Sequence, residues 1–265
     1  MSAANVTEDI LELYARLDDL CAVADRGEVG ISDFLSPREL HFSEQYLAHR
    51  GVDFLAFGGY ESAERKRIYL LPEYMSGVSS INDMEMYGEK VSVSALEVSS
   101  AGYRKLTHRD YLGSVLGLGV ERAVIGDILV IGDDGDSAVI FCDSTLTDFF
   151  CAELLKVANE KVKCRVVDLS EIVIPERRML SINDTVASPR IDCVVGALCS
   201  FSRERAREAV VSGIVELDYE TEQRPDRAIK APCTISVRGM GKFRVQSVED
   251  KTKKGRYRLV AEKYL

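Results

Sequence analysis

At about 150 residues per domain, a chain of 265 residues has room for two domains. Its 46% hydrophobic and 29% charged residues fit a folded globular protein and exclude disordered, collagen-like and disulfide-scaffold classes. The formal net charge of -9 is unevenly divided: residues 188–265 carry 16 Lys and Arg against 11 Asp and Glu, or +5, while residues 1–187 carry 18 against 32, or -14.

In residues 1–77 the pattern predicts two helices and a strand pair. Val6, Ile10, Leu13, Leu17 and Leu20 follow helical spacing. Ser36-Pro37 supplies an N-cap and a first-turn proline for a second helix that Gly51 stops. VDFLAF and IYLLP are strand-like, and the turn between them ends in the basic cluster Arg65, Lys66 and Arg67.

Residues 78–176 predict the order β-α-β-β-α-β, the split pattern of ferredoxin-like and RNA-recognition folds. KVSVSALEV alternates as a strand, and Thr107 with Asp110 forms a capping-box start for a helix ended by Gly117. DILVIG and SAVIFC follow as strands. TLTDFFCAELLKVA places Leu146, Phe149, Phe150, Leu154 and Val157 on one helical face, and KVKCRVVDL returns as a strand. SAVIFC lacks the base-stacking signature of RNA-recognition domains and offers only Phe141, so this domain is expected to be a scaffold. The polar stretch 177–187 is expected to be a linker.

Residues 188–265 hold the densest chemistry. Arg190-Ile191-Asp192 opens a helix with Ile191, Val194, Val195 and Leu198 on one face; Ser202 caps a second that carries Arg203, Arg205 and Arg207 and ends at Gly213. Arg203 and Arg207 share one helical face, where they can straddle neighbouring phosphates or pair with Glu204 and Glu208. TISVRGMGKFRVQSV and GRYRLVAEK then alternate with period two. That pattern predicts five basic side chains, Arg238, Lys242, Arg244, Arg256 and Arg258, on the wet face of one small sheet. Lys251, Lys253 and Lys254 add to the charge. Such a concentration of cations favours a polyanion, most often phosphate.

These residues resemble the alpha-L RNA-binding motif of a small-subunit ribosomal protein and many RNA-modifying enzymes. The motif lies in Arg190-Ile191-Asp192, in Ser202-Arg203, and in Val210-Val211-Ser212-Gly213-Ile214-Val215. Ile191 replaces the usual Leu, and the acidic Glu216 and Asp218 depart from the pattern in the strand that follows. Two upstream strings, FGGYESAERKRIYLLPEY from Phe57 to Tyr74 and LTHRDYLGSVLGLGVERAVIGDIL from Leu106 to Leu129, are similar to the hallmarks of the bacterial YlmH family. That resemblance implies a cytoplasmic, RNA-associated protein. Through its relatives it also implies a link to the large ribosomal subunit, to peptidyl-tRNA and to the rescue of stalled translation.

The expected fold class is therefore α+β: an N-terminal α/β unit, a ferredoxin-like domain and a C-terminal alpha-L RNA-binding domain. Arg190, Ser202, Arg203, Arg205, Arg207, Arg238, Lys242, Arg244, Lys251, Lys253, Lys254, Arg256 and Arg258 are the RNA-binding candidates. Arg65, Lys66, Arg67, His108 and Arg109 are secondary RNA or partner candidates. The glycines of GSVLGLG lack dinucleotide-binding spacing, and His41 and His49 have no metal-ligand constellation. The seven cysteines are odd in number and scattered, as reduced core thiols are. The expectation is thus no catalytic residue, no cofactor, no metal and no membrane span. The partners are ribosomal RNA of the large subunit, with tRNA as a further candidate, and a protein partner for the acidic body. An RNA-modifying enzyme that captures substrate through the alpha-L domain and a cell-division adaptor are the competing function classes.

Overall fold

The computed structural model describes residues 7–100, 104–132, 135–175, 179–251 and 255–264. The chain forms two compact units, 7–175 and 176–265. Among the described residues no helix is long and apolar enough to cross a membrane.

The first unit opens with α1 (Glu8–Ala24), which buries Ile10, Leu13, Leu17, Cys21 and Ala24 along one stripe. β1 (Gly30–Ile31) and α2 (Pro37–Arg50) follow. The α2 ends are set locally. Ser36 accepts from the Glu39 amide, Glu39 reaches back to the Ser36 amide, and Gly51 at φ 68 takes the left-handed C-cap. β2 (Phe54–Phe57) and β3 (Arg67–Leu70) pair antiparallel, and β3, buried along its length, is the centre of the three-stranded sheet β1-β3-β2. A short α3 (Ile81–Met86) leads out of this region.

A five-stranded antiparallel sheet completes the unit. Its elements are β4 (Val93–Ser100), α4 (His108–Leu116), β5 (Ile125–Ile131), β6 (Ser137–Asp143), α5 (Thr147–Glu153), β7 (Lys156–Val157) and β8 (Glu160–Val167). The strand order is β5-β6-β4-β8-β7. Alternation divides the strands: Leu96, Val98, Ile140 and Cys142 pack with Tyr111 and Val115 of α4 and Phe150 of α5. Val93, Ala95, Val139 and Phe141 face the other way, against Phe34, Tyr60 and Ala63. The second helix is shorter than its apolar spacing predicts: α5 ends at Glu153, and Val157 reaches the same core from β7, paired with Glu160.

The second unit contains β9 (Met179–Val186), α6 (Ile191–Cys199), α7 (Arg203–Val211), β10 (Val215–Leu217), β11 (Glu220–Thr221), β12 (Cys233–Val237), β13 (Gly241–Lys251) and β14 (Tyr257–Tyr264). They form one sheet in the order β11-β10-β12-β13-β14-β9. Val194, Val195 and Leu198 of α6 with Ala206 and Val210 of α7 pack on Ile235, Val237, Phe243, Val245, Leu259 and Ala261 of the sheet. Residues 179–186, expected within a linker, are instead an edge strand in register with β14 from Tyr257↔Val186 to Tyr264↔Met179. Pairing of the backbone with β14 holds this polar segment, with Ile182 and Val186 reaching the core.

Candidate RNA interface

The helix pair and the edge of the second sheet bring three arginines to one groove. About 370 Å³ in volume, it is lined by Thr185, Arg190, Phe201, Arg203 and Arg256 together with the α6 face at Cys193 and Gly196. Arg190, the N-cap of α6, is held by a fork: its Nε donates to Asp192 Oδ1 at 3.0 Å and its Nη2 to Oδ2 at 2.6 Å. Asp192, only 5% exposed, also accepts from the Cys193 amide at 2.9 Å, so the fork is anchored in the core. Arg256 donates from Nε to Thr185 Oγ1 at 2.9 Å and from Nη2 to the Thr185 carbonyl at 2.5 Å. A planar guanidinium fork suits phosphate oxygens.

Ser202 starts α7 by accepting from the Arg205 amide, so its hydroxyl works as a helix cap. Arg205 stacks over Phe201 at 4.1 Å from the ring centre, and Arg207 is exposed one turn beyond Arg203. On the wet face of the sheet the structure departs from expectation. Lys242, Arg244 and Arg258 lie there, but Glu216, Glu262 and Glu249 share their rows: Arg244 is opposite Glu262 and Arg258 opposite Glu249. Opposite charges across strands neutralise one another, so this face is mixed rather than uniformly basic. Lys242 is half-buried between Tyr219 and Tyr264, 5.0 and 5.1 Å from their rings, and donates to the Tyr219 hydroxyl at 3.2 Å. Arg238 follows β12 in a turn, its amide bonded to the Ile214 carbonyl. Lys251 is paired with Tyr257 through its backbone, while Lys253 and Lys254 lie outside the described residues.

Arg65 and Arg67 of the first unit's basic cluster are turned inward, which corrects their assignment as contact residues, whereas Lys66 is only half-buried. Arg67, 6% exposed, donates from Nε to the Ser32 carbonyl at 2.7 Å and from Nη1 to the Ser92 carbonyl at 3.0 Å and to Asp143 at 2.8 Å. Arg65 donates to the carbonyls of Ile125, Phe34 and Arg122, and burial pushes its pKa down. Lys66 bonds the Glu61 carbonyl. Asp127 closes this seam by accepting from the Tyr60 hydroxyl and from the amides of Glu64 and Arg65. Charge alone suggested a surface, but Arg65 and Arg67 are absorbed largely by backbone carbonyls distant in sequence. His108 and Arg109 sit in the first turn of α4, and the loss of solvent, then the nearby Arg122, push the His108 pKa down.

Among the described residues no group of three or more His, Cys, Asp or Glu is placed to hold a metal. Sequence reasoning picked each groove arginine but not Thr185 or Phe201, which position two of the basic side chains. The aromatic two residues before Arg203 was the available signal for Phe201.

Two family models match the chain: "YlmH, N-terminal" over residues 8–75 and "Putative RNA-binding domain in YlmH" over 89–171. A relative from Bacillus subtilis (strain 168), named Ribosome-associated protein quality control protein P2, is 28% identical over 241 residues, covering 91% of this chain and 90% of its own. A solved structure, the cell division protein ylmH from Streptococcus pneumoniae, is 22% identical with a TM-score of 0.49, covering 62% of this chain and 94% of that one. Matched by the two models together over more than half its length, the chain belongs to the YlmH family.

Proposed function

We propose that the protein is a non-catalytic RNA-binding protein of ribosome-associated quality control, working in the cytoplasm. Its C-terminal unit, an alpha-L domain in this reading, docks on structured RNA, and the favoured target is ribosomal RNA of the large subunit, with tRNA as a second contact. The observation that carries this reading is the groove where Arg190, Arg203 and Arg256 meet. Support also comes from the family's RNA-binding domain model and from the name of the Bacillus subtilis relative.

In this account guanidinium groups take phosphate oxygens, and the Asp192 fork and the Thr185 contacts preset two of the three side chains, lowering the ordering cost of binding. The net -14 of residues 1–187 repels phosphate, which favours approach through the +5 tail. Equilibrium binding to purified large-subunit RNA across a salt series tests the reading. Neutralising about five phosphates of a duplex gives a log-log slope of about -4 to -5. A slope near zero, or no binding at low salt, overturns it.

A further inference from the structure

The face of the five-stranded sheet that points away from α4 and α5 is divided into two halves. Over β6 it is covered, because Val139 and Phe141 pack under Phe34, Tyr60 and Ala63. Over β7 and the Lys161–Arg165 stretch of β8 it is open, while Val167 at the end of β8 packs with the covered half. Val162 and Cys164 pack toward the helices, so Lys161, Lys163 and Arg165 alternate onto the other face, and all three are exposed. Lys156 of β7 is opposite Lys161 in register and joins the same row.

The charge on this half-face is poorly balanced from within. Arg165 pairs with Glu97, its cross-strand neighbour on β4. Among the described residues no carboxylate pairs with Lys156, Lys161 or Lys163. Lys156 and Lys161 stand directly opposite each other, an arrangement that destabilises a sheet unless an anion is supplied from outside. Alternate residues along a strand are about 6.8 Å apart, the scale of the step between successive phosphates of one nucleic-acid strand.

We propose that Lys156, Lys161, Lys163 and Arg165 form a second RNA contact, which takes the sugar-phosphate backbone of a single RNA strand running along β8. This rests on the reading of the chain as RNA-binding, and it places the middle domain's contact on the outer strands, since the central strand face over β6 is occupied. The contact is to the backbone: among the described residues its open half offers Glu97 and Ser99 beside the cations and no aromatic ring for base stacking.

The test is binding of the full chain to a labelled short oligouridylate across a salt series, for wild type and for K156A/K161A/K163A. Each single-strand phosphate contact contributes about 0.7 to the slope, so the triple variant should flatten it by about 2 and lose affinity at low salt. Its thermal midpoint should not fall, because the three side chains are exposed and their removal relieves the Lys156–Lys161 repulsion. A triple variant that binds with the wild-type slope overturns the proposal, as does a wild type that does not bind the oligouridylate. Neither result touches the tail groove, whose own failure would appear as no binding of wild type to purified large-subunit RNA.

Discussion

Arg67 Nη1 lies 2.8 Å from the Asp143 carboxylate, tying the central strand β3 of the N-terminal sheet to the end of β6. Both side chains are largely buried, at 8% and 16% exposure. Removing one partner of such a pair leaves the other charge without compensation, so Asp143→Asn should cost about 3 kcal/mol in denaturant unfolding at neutral pH. Burial alone would raise the Asp143 pKa, but hydrogen bonds from Thr145 and the Arg67 charge outweigh it and hold the carboxyl below its usual 3.8. The folded state therefore binds this proton less readily than the unfolded state. The stabilisation is full above the unfolded value and is lost as pH falls through the folded pKa. The gap between wild type and Asp143→Asn should narrow there; a gap constant from neutral pH to below the folded pKa would contradict this assignment.

Arg65 separates a structural role from an RNA role. Its guanidinium donates to three backbone carbonyls; Ile125's also accepts from Arg122, and each carbonyl that loses its partner in a half-buried setting costs about 1–3 kcal/mol. Arg65→Ala should lower the thermal midpoint clearly while leaving the salt slope for large-subunit RNA unchanged below the transition. A flattened slope with unchanged stability would return Arg65 to the interface.

Gly59 has φ +102, and a Cβ built on it would lie 2.2 Å from the Phe141 ring. Gly59→Ala combines backbone strain with an overpacked contact beneath the covered half of the sheet, and should destabilise by about 2 kcal/mol or more. Chemical denaturation reads this directly. A neutral substitution would mean that Phe141 can move aside and that the cover over β6 is loose.

Local chemistry could be read from the sequence. The Ser36-Pro37 start, the Gly51 stop and the Thr107–Asp110 capping box need only residues within one turn, and all are present. Strand β9 could not be read this way. In MLSINDTV half the side chains are exposed and Asp184 breaks the alternation of Leu180, Ile182 and Val186; its place depends on hydrogen bonds to β14 some 70 residues later. The same pairing brings Arg256 to Thr185 and so to Arg190 and Arg203; each arginine was visible as a charge, but not their convergence. Arg65 and Arg67 misled for the complementary reason, since the Phe34, Ser92 and Arg122 carbonyls that absorb them leave no local mark. In KVKCRVV the alternation was plain. Which side of the strand stays open depends on Phe34 and Tyr60 packing over β6.

Arg203 stands at the groove mouth of α7, and its removal should weaken binding uniformly across RNA sequences. Arg203→Ala should flatten the salt slope by about one unit, and Arg203→Ala with Arg256→Ala by about two. An unchanged slope in the double variant would remove the groove from the interface.

Ribosome association through the basic C-terminal unit is what we propose. Gradient sedimentation of a cell lysate tests it most directly, with the protein followed against ribosomal subunits at low and high salt. The account predicts co-migration with the large subunit at low salt, release at high salt, and loss of co-migration in the Arg203→Ala, Arg256→Ala double variant. Migration as free protein at both salt concentrations would contradict it.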